Sequence, residues 1–331
     1  MSLPTFTFST TAHEVADALA DTIHGKNVLI TGTSLNGIGF EAARTIAKYA
    51  NMVIITGYNL ERLKLSEEAI KKDIPGTNIH PLVLDLTSLA SVHKAAAEVI
   101  IHNAAHGGGP FQPTVDGFES QMSTAHIAPF LLTKLLTPKL LAANSPTYTP
   151  RVVMVSSEGH TFGNGVDLEA IAHPKPEKYS SSDGYFQAKS ANVLFAIELS
   201  KRAEGKIKAY SLHPGNIFTN LMHKPDNKAF LIGLGALTPD GQPDHTKMAF
   251  KTMGQGAATT LVAAFDPRIE GEIPFIASML ALLIELPDQS GSYLCDCVVA
   301  NDKAAAHSTD PKTAEKLWTV TEEALGEEFT F

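Results

Sequence analysis

Between Asn27 and Thr56 an apolar run, a glycine-bearing loop, a helical stretch and a second apolar run follow one another, and few folds accept that order. Asn27 to Ile30 reads as a short buried strand, Gly37 to Tyr49 as a helix and Met52 to Thr56 as a second strand, the βαβ unit that opens a doubly wound sheet. The alternation then repeats. Asn59 has the chemistry of an N-cap for a helix reaching about Lys72, His80 to Leu84 is a third strand, Ser88 to Glu98 a short helix and Val99 to Asn103 a fourth strand. Helix Gly117 to Leu141, strand Arg151 to Ser156, helix Gly184 to Ala203 and strand Lys206 to His213 continue it. Pro and Gly between Pro214 and Gly256 predict an irregular segment over the sheet, and Gly291 to Val299 a last strand beside Lys206 to His213. The expectation is one α/β domain with a mostly parallel sheet. Residues 20–215 form its core, 216–290 a variable substrate-covering segment, and 291–331 a last strand and C-terminal helix.

The balance of residue types narrows the function classes. Hydrophobic residues are 44% and charged residues 18% of the 331, as in ordinary globular domains. A formal charge of -9 repels phosphate backbones, and no dense Lys/Arg stripe offsets it, so nucleic acid is not an expected partner. Cys295 and Cys297 are the only cysteines. Two apart on a predicted strand, they lack disulfide geometry, which fits an intracellular protein. The thirteen histidines are scattered, and none joins the cysteines at zinc-finger spacing, so no metal is expected. Met1 to Ala20 has no basic start followed by an apolar run, so a cytoplasmic location is expected rather than secretion. Ile273 to Leu286 is apolar over fourteen residues, short of the about 20 needed to cross a bilayer. It reads as a buried or lid-like helix, with membrane-surface contact as the alternative.

Thr31 to Gly39 (Thr-Gly-Thr-Ser-Leu-Asn-Gly-Ile-Gly) lies between a predicted strand and a predicted helix, the setting that separates a dinucleotide loop from an ordinary βα turn. Glycines let the main chain approach a pyrophosphate, and the free amides and the helix dipole favour its charge. Gly32, Ser34, Asn36, Gly37, Ile38 and Gly39 are therefore candidate cofactor contacts in a Rossmann-type unit. About twenty residues further on, a protein selecting NAD offers a carboxylate to the ribose 2′-hydroxyl. This chain has Gly57-Tyr58-Asn59 there, with Arg62 following. Asn59 and Arg62 suit a 2′-phosphate, so NADP is expected ahead of NAD; Asn59 can cap the helix as well.

Tyr185 and Lys189 are four apart on a predicted helix and project from one face. An ammonium near a phenol lowers its pKa from about 10 toward working pH, as a general acid/base requires. Ser157, at the end of the buried run Val152 to Val155, is placed to bond a substrate oxygen on which charge develops. Ser157, Tyr185 and Lys189 are the expected catalytic residues.

In this order the pieces resemble a short-chain dehydrogenase/reductase, nearest the retinol-dehydrogenase-like branch with its fungal-type relatives. The matching segments are Thr31 to Gly39, Asp85-Leu86, Asn103-Ala104-Ala105, Val155-Ser156-Ser157, Tyr185 to Lys189, and Leu212-His213-Pro214-Gly215 with Thr219. The resemblance covers nearly the whole chain. It implies that Asp85 and Leu86 border the adenine, and that Asn103 and Ala104 sit beside the cofactor. Tyr185 and Lys189 also hold its ribose, and Pro214, Gly215, Ile217 and Thr219 border the nicotinamide. The implied reaction interconverts a ketone or aldehyde with its alcohol, with reduction favoured.

Phe162, Tyr179, Phe186, Phe218 and Met222 in the variable part suggest a lipophilic small molecule, as in specialised metabolism. The family often pairs subunits through helices like Gly117 to Leu141 and Gly184 to Ala203, which allows a homodimer without requiring one. Three departures stand out. Four residues separate Gly32 from Gly37 where the family usually has three. Ala125 stands where the family has an asparagine that holds a proton-relay water, leaving His126 or a main-chain carbonyl as substitutes, although His126 reads more readily as structural. Only seventeen residues lie between Asp85 and Asn103, so the crossover is expected to be shortened and frayed. The alternative reading these departures favour is a cofactor-binding sensor or scaffold without turnover.

Overall fold

The computed structural model describes residues 3–92, 99–270 and 288–331. Its strands are β1 (Asn27–Ile30), β2 (Met52–Gly57), β3 (Ile79–Val83), β4 (Val99–His102), β5 (Arg151–Val155), β6 (Lys208–His213), β7 (Asn216–Ile217), β8 (Phe250–Lys251), β9 (Tyr293–Cys295) and β10 (Val298–Val299). Eight form one sheet in the order β10-β9-β6-β5-β4-β1-β2-β3, and β7 and β8 make a separate parallel pair. Every pairing in the large sheet is parallel except β9 with β10. Leu29 of β1 lies between Ile54 of β2 and Ile100 of β4. Strand order reverses there, and such a reversal opens a crevice beyond the carboxyl ends of the strands.

The strands read as unbroken apolar runs because helices cover both faces. Val28, Ile30, Val53, Ile55, Val153 and Val155 face a core built with Ala42, Ala43, Ile46 and Leu261. Leu29, Ile100, Val152 and Met154 face the other side, against Phe130, Phe195 and Trp318. The period of two thus divides each strand between two cores. Each fully buried aliphatic side chain contributes about 1.5–3 kcal/mol.

Several boundaries differ from expectation for local reasons. The helix carrying Tyr185 is Ser181–Arg202, starting earlier than Gly184 because the Ser180 hydroxyl caps it. The predicted helix from Gly117 begins at Ser120, where the Glu119 carboxylate accepts from the amides of Gln121 and Met122. It then passes through a π turn, Ser123–Ile127, into the helix Ala128–Ala143. The segment read as irregular contains β7, the helix Pro225–Gly233 and β8. The predicted last strand is a hairpin: Asp296 and Cys297 take left-handed φ values of 53° and 67°, which puts Cys297 in the turn and not on a strand with Cys295. Both cysteines are buried and free. A helix at Ala12–Ala18, closed by a capping box between Thr11 and Glu14, was not expected.

The predicted crossover helix is seen over Leu89–Val92. The rest of the helix predicted to reach Glu98, and the apolar run at 273–286, lie outside the described residues. Among the described residues, no helix is long and apolar enough to cross a membrane. The helix Pro311–Leu325 packs along Ser181–Arg202, with Ala314 and Leu317 against Ala191 and Leu194. Trp318 stacks on Phe195, with ring centroids 5.7 Å apart.

Candidate active site

The crevice at the strand reversal gathers the predicted residues from three directions. β1 delivers the glycine loop. Gly32 has φ +72°, and a Cβ there would stand 2.7 Å from the Ala104 Cα. Gly39 is equally constrained, since its Cβ would fall 2.3 Å from Asn103 Nδ2. Asn103, just past β4, explains both: its Nδ2 donates to the Thr31 and Gly32 carbonyls at 3.0 Å, while the amides of Asn103 and Ala104 donate to Thr31 Oγ1 at 3.0 Å. Asn36 is left-handed at φ 59°, a conformation asparagine tolerates better than most residues. The helix Ile38–Ile46 starts at Gly37 with no side-chain cap. Its first amides are therefore oriented for an anion, and the glycine cradle and uncapped helix end fit a pyrophosphate.

Ser34, Asn59 and Arg62 line a small cleft at the end of β2. Asn59 also caps the helix Leu60–Asp73, its Oδ1 accepting from the Arg62 amide at 3.0 Å, so both of its predicted roles are compatible. Asp85 closes a local turn, its Oδ1 accepting from the amide and hydroxyl of Thr87 at 2.9 and 2.6 Å. Leu86 is buried, and its carbonyl accepts from the Ser123 hydroxyl at 3.0 Å. On the opposite flank, Gly215 has φ +95°, and a Cβ there would meet the Lys251 stem at 2.6 Å. Lys251 crosses over Gly215 to pair with Asp296 at 2.7 Å, tying the segment with Pro214, Ile217 and Thr219 to the last hairpin.

Ser157, Tyr185 and Lys189 come together at the end of β5. The Ser156 hydroxyl donates to the Lys189 carbonyl at 2.7 Å, and Lys189 Nζ donates to the Val155 carbonyl at 2.8 Å. Ser157 Oγ accepts from the Gly159 amide at 3.1 Å. A Cβ on Gly159 would stand 2.9 Å from the Tyr185 ring, so this glycine lets the phenol lie against the serine turn.

One expectation needs correcting. Lys189 does not lower the phenol's pKa in this arrangement, because Nζ is 5.7 Å from the ring centroid and committed to Val155. Burial pushes Tyr185 up, with the Ser157 hydrogen bond working the other way, and it pushes Lys189 down to about 8.

His126 is a core residue, its Nε2 2.9 Å from Thr321 Oγ1 and its ring packed on Phe130 and Phe195. Burial pushes it down to about 3. The Ala125 carbonyl, within the π turn, accepts from Asn192 Nδ2 at 2.5 Å.

Of the aromatic candidates, Phe162 and Phe186 meet at 5.2 Å, and Phe230 joins Phe186 at 5.7 Å. Phe218 and Met222 are half-buried. Tyr179 instead lines a separate cavity of about 140 Å³ beside Phe111 and Met122, its hydroxyl accepting from Gln121 Nε2 at 2.7 Å. Sequence reasoning missed Gly159, Asn192, Phe230 and Lys251. Only Gly159, two residues past the serine, carried a local signal.

The sequence pattern of the short chain dehydrogenases matches residues 26–168. A chloroplastic short-chain dehydrogenase of Brassica napus is 33% identical over 325 residues, 94% of this chain and 91% of that protein. Human retinol dehydrogenase 14 is 30% identical over 330 residues, 92% of this chain and 87% of its own length. The crystal structure of an uncharacterised protein from Mycobacterium paratuberculosis superposes with a TM-score of 0.65 at 27% identity, covering 93% of this chain and 96% of that one. A glycine cradle buttressed by Asn103, facing a serine, a tyrosine and a lysine across the strand reversal, agrees with these likenesses: the chain belongs to the short-chain dehydrogenase/reductase family of oxidoreductases.

Proposed function

We propose that the protein reduces a ketone or aldehyde group on a lipophilic small molecule with NADPH, in the cytoplasm and as part of specialised metabolism. The observation that carries this reading is the meeting of the Ser157 turn, the Tyr185 ring and Lys189 Nζ at the end of β5, beside the glycine cradle. When bound, the cofactor supplies the hydride. The loop from Gly32 to Gly39 receives its pyrophosphate, Asn59 and Arg62 the 2′-phosphate end, and Asp85, Leu86, Asn103 and Ala104 flank its adenosine side. Tyr185, Lys189 and the segment with Pro214, Gly215, Ile217 and Thr219 border the nicotinamide riboside. The Ser157 hydroxyl donates to the substrate oxygen, and Tyr185 hands its proton to the same atom as negative charge develops there. Phe162, Phe186 and Phe230 supply an apolar wall for the rest of the substrate. Preference for NADP is supported by Arg62 in the β2 cleft and by the lack of a carboxylate at 57–59.

The test is fluorescence titration with NADPH and NADH, followed by reduced-nicotinamide absorbance with a panel of apolar ketones and aldehydes. Tyr185→Phe is expected to lower turnover roughly 10²–10⁴-fold while NADPH still binds; unchanged turnover overturns the assignment. A second reading, a cofactor-binding protein without turnover, is favoured by Ala125 and by the bond from Asn192 to its carbonyl. Tight NADPH binding with no reduction of any carbonyl supports it. The helix Pro311–Leu325 packs along Ser181–Arg202, one of the two helices expected to pair subunits, and any homodimer is proposed to use a surface that this helix leaves free.

A further inference from the structure

The turn that follows Ser157 is held by a residue to which neither the fold nor the reaction assigns a task. Glu158–Thr161 is a short 3-10 turn whose leading amides have no partner within it. Ser157 Oγ takes the Gly159 amide at 3.1 Å. The Glu158 amide donates to Nδ1 of His213, the last residue of β6, at 3.0 Å. His160 Nδ1 lies 2.6 Å from the Ser157 carbonyl and can only donate to it. The peptide carrying Ser157 is thus bonded on both sides, and Gly159, the next link, is the surface on which the Tyr185 ring rests.

We propose that His213 is a positioning residue of this site: its neutral ring, protonated on Nε2, accepts the peptide N–H after Ser157 and sets where the Ser157 hydroxyl and the Tyr185 phenol stand relative to each other. An Nδ1 that accepts fixes the tautomer, since the remaining proton must sit on Nε2. That nitrogen faces the Glu158 carboxylate at 4.0 Å. The other charged or titratable groups around the ring are His160 of the serine turn, Lys251 of β8, Asp296 of the hairpin and Lys303. The side chain is 9% exposed. Burial first, then Lys251, pushes its pKa down to about 4, so it keeps the acceptor across the neutral range. Protonation would put a second donor against the Glu158 N–H.

The catalytic part of the inference rests on the reductase reading, while the hydrogen bond does not, and the tests separate them. In ¹⁵N-histidine-labelled wild-type protein, His213 is expected as the Nε2–H tautomer with a hydrogen-bonded Nδ1, unchanged from about pH 5.5 to 8. An Nδ1–H tautomer, or titration within that range, overturns the proposal. His213→Asn places Oδ1 where Nδ1 stood, whereas His213→Leu removes the acceptor. Exchange of the Glu158 amide should speed up at least about tenfold in the Leu variant and stay slow in the Asn variant. With a carbonyl that the wild type reduces, kcat should fall roughly 10- to 100-fold in His213→Leu and recover in His213→Asn, with NADPH affinity steady within about twofold. Equal losses in the two variants, or a protected Glu158 amide in the Leu variant, overturn it. If His213→Leu does not fold, the tautomer and the Asn variant decide. If the wild type reduces none of the carbonyls, the reductase reading fails, and the tautomer and amide exchange still decide the role of His213.

Discussion

The two flanks of the crevice are built by different means. On the glycine-loop flank, side chains bond the main chain at fixed distances, and Gly32 and Gly39 face atoms that leave no room for a Cβ. On the aromatic flank, three phenylalanines from separate segments meet at 5.2 and 5.7 Å with no polar bond among them. Hydrogen bonds to backbone specify position closely, whereas apolar contacts accept any side chain of suitable volume. The first flank is therefore suited to one unvarying ligand and the second to a ligand that evolution can exchange.

The largest effect should come from breaking the rigid flank. Gly32→Val puts a β-branched side chain at φ +72° against Ala104, and we expect no measurable NADPH binding and a stability loss of about 3 kcal/mol or more by urea unfolding. Next comes the seam between the flanks. Lys189 is charged below its folded value of about 8, at the cost of burial. Between about 8 and its ordinary 10.5 the unfolded chain keeps the proton that the folded chain releases, so wild-type stability should rise with pH across that window. Lys189→Met should remove the rise and stabilise the protein near pH 7 by up to roughly 3 kcal/mol, while reducing turnover. Thermal melts at several pH values check this, and a flat wild-type profile contradicts it. The smallest effect belongs to the adaptable flank: Phe230→Ala should lower kcat/KM for an apolar carbonyl roughly 10-fold and leave NADPH affinity unchanged. Loss of NADPH affinity in that variant would show that the two flanks are not separable.

The same division governs what could be read in the sequence. β1, the glycine loop and the Ile38–Ile46 helix were legible because strand burial and the glycine requirement both act through neighbours in the chain. So was the pairing of Tyr185 with Lys189, which needs only helical spacing. Phe230 was not legible, since its place depends on a helix from a segment whose Pro and Gly content hid it. Nor was the hairpin of β9 and β10, because Asp296 and Cys297 turn left-handed without a glycine to mark them. The position of Lys189 relative to the phenol was half legible: spacing puts both on one face, but only the Val155 carbonyl reveals where the ammonium goes.

The stacked rings of Trp318, Phe329 and Phe331 bear on the order in which the molecule is made. They close over Phe130 and Phe195, on the helices that carry the π turn and Tyr185. During synthesis those helices emerge long before residues 311–331 do, and until then their outer faces stay bare. A nascent chain can thus assemble its sheet and glycine loop early, while the helix bearing Tyr185 waits for residues 311–331. Premature termination before residue 311 would release a chain with its glycine loop formed and an exposed, adhesive surface behind Tyr185.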